Sequence, residues 1–256
     1  MGCNQIEKYA NKRVGEIVTS KEGYEMTLIK YEHSTNCIIK FKDEFNTILS
    51  NVHYKYFKRG ITQNPNKRTI FNIGYLGIGK YKSRYTKGAK TEAYSTWFKM
   101  IMRCYCIKIQ QQQPAYVGVT VCEEWHNFQN FAKFYEENYI EGWHLDKDIL
   151  VEGNKVYGPN VCCFVPVELN SFFSKRGNQD RILPIGVSMK GNSFISSGGM
   201  NGKSNHHGSF KTAEEAFEMY KEKKEDYAKI LAERWKNKVK SEVYERLLNW
   251  RVKRYK

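Results

Sequence analysis

From Val14 to about Phe57 the chain alternates apolar and polar positions with a period of two. The runs "EIVTS", "YEMTLIKYE", "CIIKFK" and "FNTIL" are β-branched or aromatic, and turn formers such as Lys21-Glu22-Gly23 and Ser34-Thr35-Asn36 separate them. Alternation of this kind marks strands with one buried face, so the stretch predicts a small curled antiparallel sheet that looks like a barrel. A unit of about 45 residues has a marginal core, which predicts that it packs on the next part of the chain.

Beyond residue 90 the period changes. In "TEAYSTWFKMIMRCY" the residues Tyr94, Trp97, Ile101, Cys104 and Tyr105 recur at helical spacing, predicting a helix with one buried stripe that stops by "QQQQP". After the short strand "GVTVC", the residues Phe128, Phe131, Ala132 and Tyr135 repeat the i, i+3, i+4, i+7 pattern of a second helix. The interval from "WHLDKDIL" to "NSFF" then reads as strand, turn, strand and helix. Side chains alternate along a strand, so His144, Asp146 and Asp148 share one face while Leu145, Lys147 and Ile149 share the other.

The final third reads as three short strands, "LPIGVSMKG", "NSFISSGG" and "SNHHGSF", joined by Gly/Asn turns. Thr212 and Glu215 form a capping box that opens a helix with Ala216, Phe217, Tyr220, Tyr227 and Leu231 on one stripe; a last helix carries Val243, Leu247 and Leu248. Phe194, Phe210, Ala216 and Phe217 are the expected core between this sheet and its helix. The fold class is therefore α+β: a small sheet over residues 1–65, a central strand-and-helix part over 66–178, and a three-stranded sheet with helices over 179–256.

Composition adds a partner. The chain of 256 residues carries 42 Lys+Arg against 27 Asp+Glu, a net charge of +15, with 14% aromatic residues among them. Such an excess, spread along a folded chain, favours a polyanion, with double-stranded DNA as the leading candidate. The connector "YKYFKRGITQNPNKRT" offers Lys58, Arg59, Lys67 and Arg68 for a phosphate backbone, or else is a solvated linker. Glycines 74, 77 and 79 in "IGYLGIGKYKSRYTKG" loosely resemble a phosphate-binding loop, but no βαβ context and no Lys-Ser or Lys-Thr accompany them; a flexible basic loop is the reading. Seven cysteines include no pair with the two-residue gap of a zinc knuckle, so buried reduced thiols are expected and zinc is not. No apolar run approaches the roughly 18 residues needed to span a bilayer, and "MGCNQIEKYANKR" lacks the hydrophobic segment of a leader. The expected location is the cytoplasm, with no membrane partner.

The order of "YSTWFKMIMRCY", "YVGVTVCEEWHNFQNFAKFY", "LDKDILVEGNKVYGPNVCCFVPVELN" and "LPIGVSMKGNSF" through "HHGSFKTAEEAFEMYKEKKE" resembles a known group. It is similar to phage-encoded HNH homing endonuclease-like proteins with a C-terminal DNA-binding domain of the plant ethylene-response-factor (Apetala) type. The resemblance implies a ββα-metal element that holds one divalent ion, Mg²⁺ or a similar cation. It places Asp146 at the metal-ligand position, Asn160 at the middle asparagine that braces the loop, and Asn170 at the final ligand, 24 residues (170 minus 146) beyond Asp146. Where the family has its histidine base, this chain has Lys147, charged at neutral pH unless burial depresses it. His144, on the same strand face as Asp146, is the available substitute. The C-terminal resemblance implies a sheet laid in the major groove, with Ser188, Lys190, Ser196, Lys203, Asn205 and His206 as candidate contacts. Three functions stay open: a metal-dependent DNA endonuclease, a catalytically degenerate DNA-binding relative acting in phage–host regulation, and a basic surface for an acidic protein. The sequence assigns no oligomeric state.

Overall fold

The computed structural model describes residues 12–174 and 182–253. Cys3 and residues 1–11 of the N-terminal segment read for a leader lie outside them. The architecture is mixed α+β with several separate sheets, and the chain divides into two compact units, Met1–Gln112 with Glu123–Lys133 and Gln113–Cys122 with Phe134–Lys256.

In the first unit, β1 (Ile17–Thr19), β2 (Glu25–His33), β3 (Asn36–Phe41) and β4 (Ile48–Val52) form an antiparallel meander in that order. The period-two pattern puts Met26, Leu28, Cys37, Ile39 and Phe41 on one fully buried face, with Met26 opposite Phe41 and Leu28 opposite Ile39. Phe57 from the short helix α1 (Tyr54–Lys58) joins that core. Register breaks after Leu28 and Cys37 add twist and curl the sheet. The expected barrel does not close: among the described residues β1 and β4 remain edges, and four strands, the first of three residues, are too few to meet edge to edge. The loop after β3 is tied by Asp43, which accepts hydrogen bonds from the Thr47 backbone N–H (2.8 Å), the Thr47 hydroxyl (2.6 Å) and the Asn64 amide (2.6 Å). Burial alone would raise this carboxyl, but those donors outweigh it and hold it below its ordinary range.

Helix α2 (Glu92–Tyr105) starts where the Thr91 hydroxyl accepts the Tyr94 N–H at 3.2 Å, and it buries Tyr94, Trp97, Met100, Ile101 and Cys104. Trp97 donates from its indole N–H to the Trp125 carbonyl at 2.7 Å within this core. Helix α2 stops at Tyr105, ahead of the glutamines as expected; a separate short helix α3 (Ile107–Gln112) then takes in three of the four glutamines, since glutamine is a fair helix former, and Pro114 marks its end. The first turns of α4 (Phe128–Asn138) set Phe128 and Phe131 against Tyr94, Trp97 and Trp125. The three loop glycines also meet close neighbours here. A Cβ on Gly74 would come within 2.8 Å of Trp97 and Ile101, one on Gly77 (φ +71°) within 2.0 Å of Asn127, and one on Gly79 within 2.3 Å of Gln129. Close packing against Trp97 requires glycine at 74, and the positive φ favours it at 77.

In the second unit, β5 (Thr120–Val121) pairs in parallel with β7 (Val156–Tyr157), and β6 (Trp143–Asp146) pairs antiparallel with β8 (Cys163–Pro166), which runs into α5 (Val167–Phe173). The strands β9 (Val187–Lys190), β10 (Ser193–Met200) and β11 (Lys203–Phe210) form an antiparallel sheet with β10 in the middle. Helix α6 (Ala213–Trp235) opens with the capping box, Thr212 and Glu215 exchanging hydrogen bonds as expected. Its first turns bury Ala216, Phe217 and Tyr220 against Val187, with Phe194 and Phe210 alongside. Its later turns bury Tyr227, Ala228, Leu231 and Ala232 against Cys163, Val165, Leu169 and Phe172, together with Val243 and Leu247 of α7 (Ser241–Leu248). Among the described residues no helix is long and apolar enough to cross a membrane.

Asp43→Ala is expected to lower stability at neutral pH by about 1–3 kcal/mol, because three donors lose their acceptor. A depressed carboxyl stabilises the fold above its unfolded-state pKa and loses that contribution as pH falls through the folded value. Denaturant titrations should therefore show the gap between wild type and variant closing in acid and constant above about pH 5.

Candidate active site

The hairpin of β6 and β8 and the helix α5 form a ββα element. Register places Asp146 opposite Cys163 and His144 opposite Val165; Cys163, Val165 and Leu169 of α5 share one buried cluster. His144 and Asp146 therefore belong to the hairpin face that carries α5. Asn170 reaches from α5 to within 3.5 Å of His144 Nδ1, the edge of hydrogen-bonding distance. His144 is exposed and Asn170 half-buried.

Asp146 closes the strand and fixes the turn after it. Its Oδ1 accepts the backbone N–H groups of Asp148 and Ile149, both at 2.8 Å. Asp148 lies in that turn, not on the strand face where alternation puts it, because β6 ends at Asp146. Burial, and after it the neighbouring Asp148 carboxylate, push the Asp146 carboxyl up to about 6. The Asp148 side chain itself is 47% exposed, and two carboxylates this close favour a cation nearby. Arg246 of α7 supports the same turn, donating to the carbonyls of Asp148 and Ile149 at 2.6 Å each; lying 98 residues from Asp148, it gives no local signal in the sequence.

Lys147 is turned to a structural task. Its ammonium donates to the Asn154 carbonyl at 3.1 Å and approaches Asp148 at 3.5 Å. Asn154 returns the tie: its amide donates to the Lys147 carbonyl (2.6 Å) and the Val156 carbonyl (2.7 Å), and its Oδ1 accepts the Val156 N–H (3.1 Å). The loop bracing that the resemblance assigns to Asn160 is thus made by Asn154, while Asn160 sits exposed in the turn after β7. The sequence marked "EGN" only as a turn.

Asp146 and Asn170 can each offer an oxygen to a hard cation, and His144 a nitrogen. Among the described residues no group of three or more His, Cys, Asp or Glu is gathered for a metal. Cys162 and Cys163 are buried, and burial pushes both thiols up to about 12. A cleft of about 1120 Å³ elsewhere in this unit, lined by Phe172, Lys224 and Trp250 among others, does not take in His144, Asp146 or Asn170.

The candidate DNA contacts divide. Ser188, Lys190, Lys203 and His206 are exposed on the three-stranded sheet. Ser196 is not: it faces α6 at 0% exposure, level with buried Val187, and among the described residues its hydroxyl has no hydrogen-bond partner. Ser196 stands two residues from Phe194 on the same face of β10, and the bulge comes only after it, between Ser196 and Ser197. Asn205 spends its amide on the turn, donating to the carbonyls of Met200 and Lys203. In the first unit Lys58 pairs with Glu16, Lys67 with Glu22, and Arg68 with Glu44, so three of the four connector cations are neutralised at home; Arg59 is exposed. Comparison of the chain with protein-family models, curated proteins and solved structures gave no match.

Asn154→Ala should destabilise the second unit by about 1–3 kcal/mol, since it leaves the carbonyls of Lys147 and Val156 without their donor; chemical denaturation reads this directly. Cys162 and Cys163 should react with a disulfide reagent only as the chain unfolds, because the thiolate is the nucleophile. Their labelling rate, followed by mass spectrometry, should track the unfolding rate.

Proposed function

We propose that the chain is a metal-dependent DNA endonuclease of the HNH type, similar to phage homing endonucleases, in which the central ββα element cuts and the basic regions at either side bind duplex DNA. The observation that carries this reading is the meeting of His144 and Asn170 across the hairpin and helix, two residues from the fixed carboxylate of Asp146. Asp146 and Asn170 would hold one divalent ion such as Mg²⁺, which keeps several waters and accepts phosphate oxygens, so two protein ligands suffice. When bound, the ion supplies charge stabilisation at the phosphate and the leaving oxygen. His144 would take the proton from the attacking water, which histidine can do near neutral pH. Lys147, held against Asn154, keeps the loop in place and does not act as the base. The exposed Ser188, Lys190, Lys203 and His206 would lie on bases and phosphates as the ethylene-response-factor-like part of the reading requires.

One observation favours a second reading, a DNA-binding protein without catalysis: the position of the family's histidine is occupied by a lysine committed to the loop. Supercoiled plasmid incubated with the protein and Mg²⁺ or Mn²⁺ separates the two. The expected result is nicking or linearisation that chelator stops, that Asp146→Ala and Asn170→Ala abolish, and that His144→Ala slows by about 10²–10⁴. Tight duplex binding with no cleavage under any divalent metal would establish the second reading.

A further inference from the structure

The segment from Gly77 to Thr91 carries Lys80, Lys82, Arg84, Lys87 and Lys90 and no acidic residue. All five cations are exposed. The basic residues first picked out by sequence, Lys58, Lys67 and Arg68, are paired with carboxylates of the same unit. Among the described ion pairs none involves Lys82, Arg84, Lys87 or Lys90, so their charge is directed outward.

The segment is also built, not slack. Arg84 and Lys90 bridge across a tight hairpin, with Tyr85 N–H donating to Ala89 (2.8 Å), Gly88 N–H to Tyr85 (2.9 Å) and Thr91 N–H to Ser83 (3.0 Å). The Arg84 guanidinium donates to the Gly88 carbonyl at 2.7 Å and closes the turn from its side. Its base is clamped by one side chain: Gln129 accepts the Tyr81 N–H at 3.0 Å and donates to the carbonyls of Tyr81 (3.0 Å) and Leu76 (3.1 Å). Lys90 lies over the Phe98 ring at 4.2 Å, which fixes the far strand of the hairpin to α2. A charged element already ordered loses little conformational freedom when it binds.

We infer that this hairpin, residues 80–90, is a docking finger for the phosphate backbone of duplex DNA. Duplex DNA presents about one charge per 1.7 Å of axis and releases counterions wherever a lysine or arginine meets a phosphate, which suits cations with no carboxylate of their own. Tyr85 at the tip, 56% exposed, can lie against the sugar edge while the cations take phosphates. The inference rests on the reading of DNA as partner and does not need cleavage.

The test uses the full chain and a labelled random duplex, with affinity measured over a series of salt concentrations. Lys82→Gln/Arg84→Gln/Lys87→Gln removes three cations without reversing charge, and Lys58→Gln/Lys67→Gln is the control; thermal melts verify that each folds. The expected result is a salt slope lower by about 2–3 for the triple variant, near 0.9 per lost phosphate, with affinity at least tenfold weaker. The control should change less than twofold. Wild-type affinity and slope in the folded triple variant would overturn the finger while leaving DNA binding intact. A wild-type chain that binds polyglutamate but no duplex would overturn the finger and the DNA reading together.

Discussion

The burial of one long helix in two different cores is the constraint on which the second unit depends. Helix α6 runs for 23 residues, about 34 Å at 1.5 Å per residue. Its first turns cover the three-stranded sheet and its later turns cover the ββα element. A polar knot marks the handover. Glu168 of α5 accepts hydrogen bonds from the Tyr227 hydroxyl, the Arg234 guanidinium and the Trp235 indole, and Asn201 of the β10–β11 turn meets the same Tyr227 and Arg234. Hydrogen bonds to a charged carboxylate are worth more than neutral ones, and here they tie three elements at one point. The candidate cutting element and the sheet proposed to read DNA are thereby held by a shared strut.

That strut explains how a hairpin of four-residue strands can hold the candidate site in place. Two such strands are not stable by themselves. Cys163 and Val165 are fixed by the α6 and α7 side chains behind them, and Arg246 of α7 holds the turn carbonyls after Asp146. His144, Asp146 and Asn170 therefore stand on supported backbone, which a site that positions a cation and a water needs.

Much of the fold was legible because period and burial agree. The stripes Trp97–Ile101–Cys104, Phe128–Phe131–Ala132 and Phe217–Tyr220–Tyr227–Leu231 are buried as their spacing implies, and the alternation of β2 and β3 gives the face of the first sheet. What failed were features that only tertiary geometry decides. Curl did not become closure in the first sheet, because the edge strands are too short to meet. Strand alternation misplaced Asp148, since the strand stops two residues earlier. Charge was visible in the sequence, but its neutralisation was not: Glu16, Glu22 and Glu44 lie 42, 45 and 24 residues from Lys58, Lys67 and Arg68. In the candidate site, Asp146, His144 and Asn170 were named from the sequence; the tie between Lys147 and Asn154 and the support from Arg246 are products of folding.

The central claim is that the ββα element holds a catalytic cation. The most direct measurement is anomalous diffraction at the manganese edge from crystals of the chain grown with Mn²⁺ and duplex DNA. The account predicts one peak bounded by Asp146 and Asn170, next to a phosphate. A DNA-bound structure with no peak there, or with manganese only at unrelated surface carboxylates, would contradict it.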